Sequence, residues 1–392
     1  MIEIETQQYI PSSISVDDFF KLLNQEQIKY IILRWFDKFP KIRKGDAIDL
    51  LVHDDDLVNI SKHVSPNCED NSIACNIYSI SGITGTNYNG LPYYPSHYAQ
   101  EMLDERILLH NKYFVPNPKH YLLSMAYHVV YHEAENSGLP RGVREEDNEL
   151  VHNNKYRKTL RTLINRCGIK VKLTWVDLQK FLDKNNWTPE LSVLERLSEK
   201  SNWLKDLYYL KLHDQQNTGE IMAFIVREWA YENNLTDWII KWLQIHGLHI
   251  LNIYELDKDH KEAATRNLRG GNWKKEKWER NGGSGKPAVL IIAYDFYPVP
   301  LDKRYKKYYP YVSNGNFLLK NNLRSELNRN LPRKEERSII HSSDNTLDAL
   351  EFINTLYPEE LPELLNKITL DKEKMKNQNE KMLDFLSIFL ST

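Results

Sequence analysis

From Glu220 to His341 the chain carries a series of short segments whose periodicity switches in a fixed order, and few folds accept that order. Apolar runs at 220–227, 248–256, 287–295 and 338–341 read as strands, whereas 236–246 and 317–328 repeat with helical spacing. Thr236 is placed to cap the first of these helices and Gly247 to stop it. The order β-α-β-β-α-β predicts an antiparallel sheet with helices on one face, the ferredoxin-like arrangement.

The chain before this point reads differently. Helical spacing at 16–24 follows Ser15 as an N-cap, and apolar strands at 30–33 and 47–53 frame a mixed α/β unit. A loop rich in Gly, Tyr and Pro at 82–95 closes it. Residues 117–212 are helical in pattern almost throughout, punctuated by Pro116, Pro118, Pro140 and Pro189. The polar stretch 213–219 marks a boundary near Gln216. The expected class is α+β: an α/β domain at 1–115, a helical region packing on it at 116–216, and the β-α-β-β-α-β domain at 217–392.

Lys+Arg number 52 against 54 Asp+Glu, and 41% of residues are hydrophobic. This balance excludes a disordered chain, a fibrous repeat and a globally basic nucleic-acid coat, although it conceals local charge. Cys68, Cys75 and Cys167 are too few and too oddly spaced for a disulfide framework or a four-ligand zinc site. Residues 1–6 carry acids where a signal peptide needs basic residues, and apolar runs such as 288–294 fall far short of the ~20 residues that span a bilayer. The expectation is a soluble, cytoplasmic protein with no membrane segment.

Residues 337–344 carry the most chemistry. A strand leaves the core and ends on His341, and Ser343 and Asp344 lead into a helix near Asn345, whose free N–H groups suit a phosphate. On spacing alone, most strand-end histidines are simply solvated. However, Ile340-His341-Ser342-Ser343-Asp344, followed by a helix carrying Ala349, resembles the active-site segment of nucleoside diphosphate kinases, in which the histidine is phosphorylated. Phe224-Ile225-Val226-Arg227 and Gly247-Leu248-His249-Ile250 look like that family's first two strands, and Lys286-Pro287-Ala288-Val289-Leu290 like its third. The resemblance implies a catalytic His341, a phosphate-contacting Arg324, Mg²⁺, and ATP or another nucleoside triphosphate. Arg227 falls where the family has a lysine, Ser338 where it has an asparagine, and Phe352, beside Glu351, where it has a glutamate.

An insertion at 266–286 separates the second and third strands. It holds five glycines and seven basic residues, Arg266 and Arg269 among them, against two acids, while 301–337 holds ten Lys/Arg against four acids. Both give the domain a local positive field suited to a ligand with several phosphates. With Ser338 and Ser343, Arg266 and Arg269 complete the expected phosphate-binding set. Trp273, Trp278, Tyr305, Tyr308 and Tyr309 offer stacking surfaces for single-stranded nucleic acid, but aromatic residues are dispersed throughout the chain, so a small anion is the expected partner.

Near the N-terminus, Ile31-Ile32-Leu33-Arg34, a loop with Pro40 and Gly45, and Asp46-Ala47-Ile48-Asp49-Leu50-Leu51-Val52 is similar to the opening of the nucleotidyltransferase superfamily, especially a poorly characterised bacterial branch. There, two alternating carboxylates hold Mg²⁺, which makes Asp46 and Asp49 the candidate metal ligands. Ala47 occupies the first alternating position, and Arg34-Trp35-Phe36 replaces the family's Gly-Ser turn. His128 and His132 stand at i and i+4, either as two metal ligands, with His120 as a third, or as packed core histidines. The amphipathic stretch 375–390, with Met382, Leu383, Phe385 and Leu386, reads as a core or dimer contact, which admits a homo-oligomer.

These readings lead to a nucleotide-dependent phosphotransferase that uses His341 as nucleophile. Its acceptor would be a small molecule or glycan precursor of activated-sugar or surface-polysaccharide metabolism. Two alternatives stand beside it: nucleotidyl transfer through Asp46 and Asp49, and a non-catalytic nucleotide-binding or sensing module.

Overall fold

In the computed structural model, which describes residues 7–43, 45–142, 154–268, 273, 283–329, 331–333 and 335–374, the strands gather into two separate four-stranded sheets and one short hairpin. The sheets belong to two compact units, Met1–Arg196 and Leu197–Thr392. The chain is a mixed α/β protein. Among the described residues no helix is long and apolar enough to cross a membrane. Arg269 and the stretch 375–390 lie outside the described residues, as does most of the insertion at 266–286.

In the first unit, strands β1 (Gln7–Ile10), β2 (Tyr30–Ile32), β3 (Ile48–Val52) and β4 (Ile73–Ser79) lie in the order β1-β4-β3-β2. The central pair β3 and β4 is parallel, and the outer pairings are antiparallel. Every residue of β3 is buried. Helix α1 (Val16–Gln25) starts as its sequence requires: Ser15 Oγ accepts the Asp18 N–H at 3.1 Å, and Val16, Phe19, Phe20 and Leu23 form the buried i, i+3, i+4, i+7 face. Helix α2 (Ser96–Asp104) leads to a hairpin of β5 (Ile107–Leu109) and β6 (Tyr113–Val115). Asn117 caps α3 (Pro118–Tyr127), with proline in its first turn. This helix runs into a π-helical turn, His128–Glu133, which stops at Ala134 with φ 41° and ψ −112°. Helix α4 (Lys155–Cys167) ends at Gly168 in the left-handed region, and Thr174 caps α5 (Trp175–Lys184).

The second unit begins ahead of the polar stretch at Gln216, which corrects the boundary expected there. Helix α6 (Asn202–Gln216) buries Trp203, Leu204 and Leu207, and its Asp206 accepts from Asn354 Nδ2 at 3.0 Å. That packing ties α6 to the second unit. Then follow β7 (Glu220–Arg227), α7 (Thr236–Ile245), β8 (His249–Glu255), α8 (Lys258–Asn267), β9 (Pro287–Asp295), α9 (Leu319–Asn328), β10 (Ile340–Ser342) and α10 (Thr346–Leu356). The strands pair antiparallel throughout in the order β10-β7-β9-β8. Thr236 does not cap α7. The cap position is Leu235, and Thr236 Oγ1 is buried without a hydrogen bond among the described residues.

Helices cover both faces of this sheet, a correction to the one-sided layer expected. Met222, Phe224 and Val226 pack with Ile239 and Leu243 of α7 and Leu319 and Leu323 of α9. Ile221, Ala223 and Ile225 face the other way, against Ala264 of α8, Leu350 and Ile353 of α10, and Leu361 to Ile368 beyond it. The cause is visible in composition: β7 and β9 are nearly unbroken apolar runs rather than alternating ones, so both faces must leave water.

Candidate functional site

In the first unit, Arg34 follows β2 and reaches Asp49 on β3. Arg34 Nη2 lies 3.0 Å from Asp49 Oδ2, and both side chains are only 10% exposed. Asn76, level with Asp49 across the β3–β4 pairing, donates from Nδ2 to Asp49 Oδ1 at 2.8 Å. Both carboxylate oxygens are therefore engaged. Asp46 stands exposed ahead of the strand, its N–H donating to the Arg43 carbonyl. The expected pair of carboxylates does not fit Mg²⁺. One is neutralised by a buried guanidinium, which a cation would have to displace, and the other lies outside the strand that carries it.

Arg34 instead starts a hydrogen-bonded chain. Its Nη1 donates to the Tyr93 hydroxyl at 2.7 Å, and that hydroxyl lies 2.9 Å from His128 Nδ1. Burial drives the His128 pKa well below its ordinary value, and Arg34, His132 and Lys155 push it in the same direction. The ring is thus neutral and accepts from Tyr93 at Nδ1. Its Nε2–H is left for the Tyr156 hydroxyl at 3.3 Å and Glu133 Oε1 at 3.4 Å. His132 packs on the Tyr88 ring (4.2 Å) and against the edge of Tyr93 (4.3 Å). The two imidazoles are set into an aromatic layer, and His120 faces different partners, Glu101 and Asn117. The three histidines are not brought to one cation.

In the second unit, His341 pairs with Ile225 in the β10–β7 ladder, so its ring faces the α10 layer. It lies 6.0 Å from the Phe352 ring, nearly parallel, and 5.4 Å from the Trp273 ring, nearly perpendicular. Arg227, 2% exposed at the end of β7, donates from Nε to the Gly285 carbonyl at 3.0 Å, and its Cζ stands 5.8 Å from the centre of the same indole. Trp273 is 5% exposed, and its buried Nε1–H has no acceptor among the described residues. A guanidinium and an imidazole thus flank one indole with an unsatisfied donor. This arrangement is rich in N–H groups and suits phosphate oxygens better than a cation.

Of the other expected phosphate ligands, Arg324, Ser343 and Ser338 make hydrogen bonds within the fold. Arg324 comes from α9, in the opposite helix layer, and donates to the Ile340 carbonyl from Nε at 2.9 Å and from Nη2. Ser343 extends the ladder: its N–H donates to the Ala223 carbonyl, and its Oγ accepts the Ala223 N–H. Ser338 is buried, with its N–H donating to Ser284 Oγ at 2.8 Å. Arg266 is exposed in the last turn of α8. Sequence reading missed the Arg34–Asp49 pair and the Lys320–Asp344 pair at 3.4 Å. An arginine directly after an apolar strand is the one local signal for the first; the second leaves none.

No protein-family model matches the chain, and a search of curated proteins finds no significant relative.

Replacing Asp49 with Asn should destabilise the protein by about 3–5 kcal/mol in urea denaturation, because a charged Arg34 remains buried without its counter-ion. His128 also makes a pH dependence. Its folded-state pKa is depressed, so the unfolded chain takes up the proton first as pH falls below about 6.5. Its contribution is full above that pH. Below it, stability is lost at up to about 1.4 kcal/mol per pH unit until the folded-state pKa is reached. Denaturation midpoints of wild type and His128→Gln across this range should show the variant with the shallower slope.

Proposed function

We propose that the second unit is a ferredoxin-like domain of nucleoside diphosphate kinase type that binds the phosphates of ATP or another nucleoside triphosphate. In this reading the terminal phosphoryl group is taken up by His341. The observation that carries it is the convergence of Arg227, the unsatisfied Trp273 Nε1–H and His341 on one face of the sheet. The strand order β10-β7-β9-β8 supports the same reading.

A nitrogen lone pair of His341 attacks the terminal phosphorus. A P–N bond forms as the bond from that phosphorus to the bridging oxygen breaks, and the nucleoside diphosphate leaves. An acceptor nucleophile then takes the phosphoryl group and restores the imidazole. Arg227 neutralises charge on the equatorial oxygens, and the Trp273 Nε1–H donates a hydrogen bond to one of them. Mg²⁺ would arrive on the nucleotide's own phosphates, and no step here runs through it. A small-molecule or glycan-precursor acceptor fits this chemistry.

A second reading, nucleotide binding without transfer, is favoured by one contact. Phe352 stacks a hydrophobic face on His341 from the helix position where the kinases carry an orienting glutamate. Nucleotidyl transfer through Asp49 is disfavoured by Arg34.

Incubation with γ-labelled ATP and Mg²⁺ should leave an acid-labile, alkali-stable phosphoryl group on wild type and none on His341→Ala. No label on the wild type, with ATP still raising the melting temperature, would replace transfer by binding. Neither label nor stabilisation would overturn both. Trp273→Phe keeps the ring but removes the N–H. It should weaken ATP binding roughly 10- to 150-fold by calorimetry, the ~1.5–3 kcal/mol of a hydrogen bond to a charged group.

A further inference from the structure

We propose that Glu101, Glu105 and His120 of the first unit form a binding site for a divalent cation of the zinc type, separate from the nucleotide chemistry of the second unit. One ligand atom from each of the three residues lies within 4.8 Å of the others. His120 Nε2, the nitrogen a cation would use, is 3.3 Å from Glu101 Oε1; the other nitrogen, Nδ1, lies 3.1 Å from Asn117 Nδ2 and 3.8 Å from Glu105 Oε2. For tetrahedral bonds of about 2.0–2.1 Å, neighbouring ligand atoms stand roughly 3.3 Å apart, so Glu101 and His120 already hold that spacing.

The electrostatics point the same way. Glu101 and Glu105 are one helical turn apart where α2 ends, with Glu105 as its C-cap. Aligned peptide dipoles put negative potential at that end, so two carboxylates there oppose both the helix and each other. Arg106 does not relieve them: its Nη1 donates to the Leu103 carbonyl and its guanidinium lies over the Phe114 ring. A cation between the two carboxylates would.

His120 is placed before any cation arrives. Its side chain is 1% exposed, its ring lies 6.2 Å from Trp187 at 27°, and its backbone N–H is held by Asn117 Oδ1 at 2.9 Å in the first turn of α3. Asn117 Nδ2 sits 3.1 Å from Glu105 Oε2, which steadies that carboxylate in turn. The two carboxylates are exposed and give an entry path. One imidazole nitrogen and two carboxylate oxygens are a zinc ligand set that leaves one tetrahedral position for water or an external ligand.

Full-length protein stripped with a chelator and titrated with Co²⁺ tests this, since tetrahedral Co²⁺ absorbs in the visible. We expect one equivalent to produce the band, Zn²⁺ to abolish it by displacement, and Glu101→Gln with Glu105→Gln to weaken binding at least tenfold. The exposed positions make this double variant safe for folding, which circular dichroism would verify. Absence of a band, or equal Co²⁺ affinity in wild type and double variant, would overturn the site and leave a histidine hydrogen-bonded between two carboxylates.

Discussion

Strands β7 and β9 carry apolar side chains on both faces, and the second unit is organised around keeping both faces dry. One helix layer cannot do this, so α7 and α9 take one side and α6, α8 and α10 the other. The short edge strand β10 is anchored to this slab by Ser343, which exchanges hydrogen bonds with Ala223, and by Arg324, which reaches the Ile340 carbonyl from the far layer. His341 inherits a set orientation from these anchors. Arg227 is buried by the same slab, and the indole of Trp273 fills the space beside both residues.

The first unit depends on a buried charge instead. The buried arginine after β2 is tolerated only because Asp49, itself held by Asn76, pairs with it and the Tyr93 hydroxyl accepts from it. Such a pair adds little over a hydrophobic replacement, but it cannot lose one member cheaply. The positive charge then propagates an order: Tyr93 donates onward, His128 stays neutral, and its second nitrogen turns toward Tyr156 and Glu133. The carboxylate that resembles a metal ligand is thereby committed to structure.

Much of the framework was legible in local pattern. Ser15 followed by a 3.6-residue apolar repeat gives α1, and the apolar runs give β2, β3, β7, β8 and β9 close to their observed ends. Two-sided coverage was not read: the order of elements suggested one layer, and the unbroken apolarity of β7 and β9 requires two. The histidines at 128 and 132 follow the packed-histidine reading rather than the metal one, set among Tyr88, Tyr93 and Tyr156. Their rings do share a face, 5.7 Å apart, on a turn wound as a π-helix and closed by the strained Ala134.

The sequence by itself determined which segments become strands and helices and in what order, because periodicity and capping act over a few residues. It also singled out Asp49, Arg227, His128 and His341 as residues with chemistry. Only the tertiary structure decided what each does. Asp49 meets Arg34 and Asn76, His341 meets Trp273 and Phe352, and His120 meets Glu101, and in each case partners distant in the chain meet only when helices and strands pack. A carboxylate or imidazole takes its role from the charge and hydrogen-bond partners within a few ångströms, and those neighbours are assigned by packing.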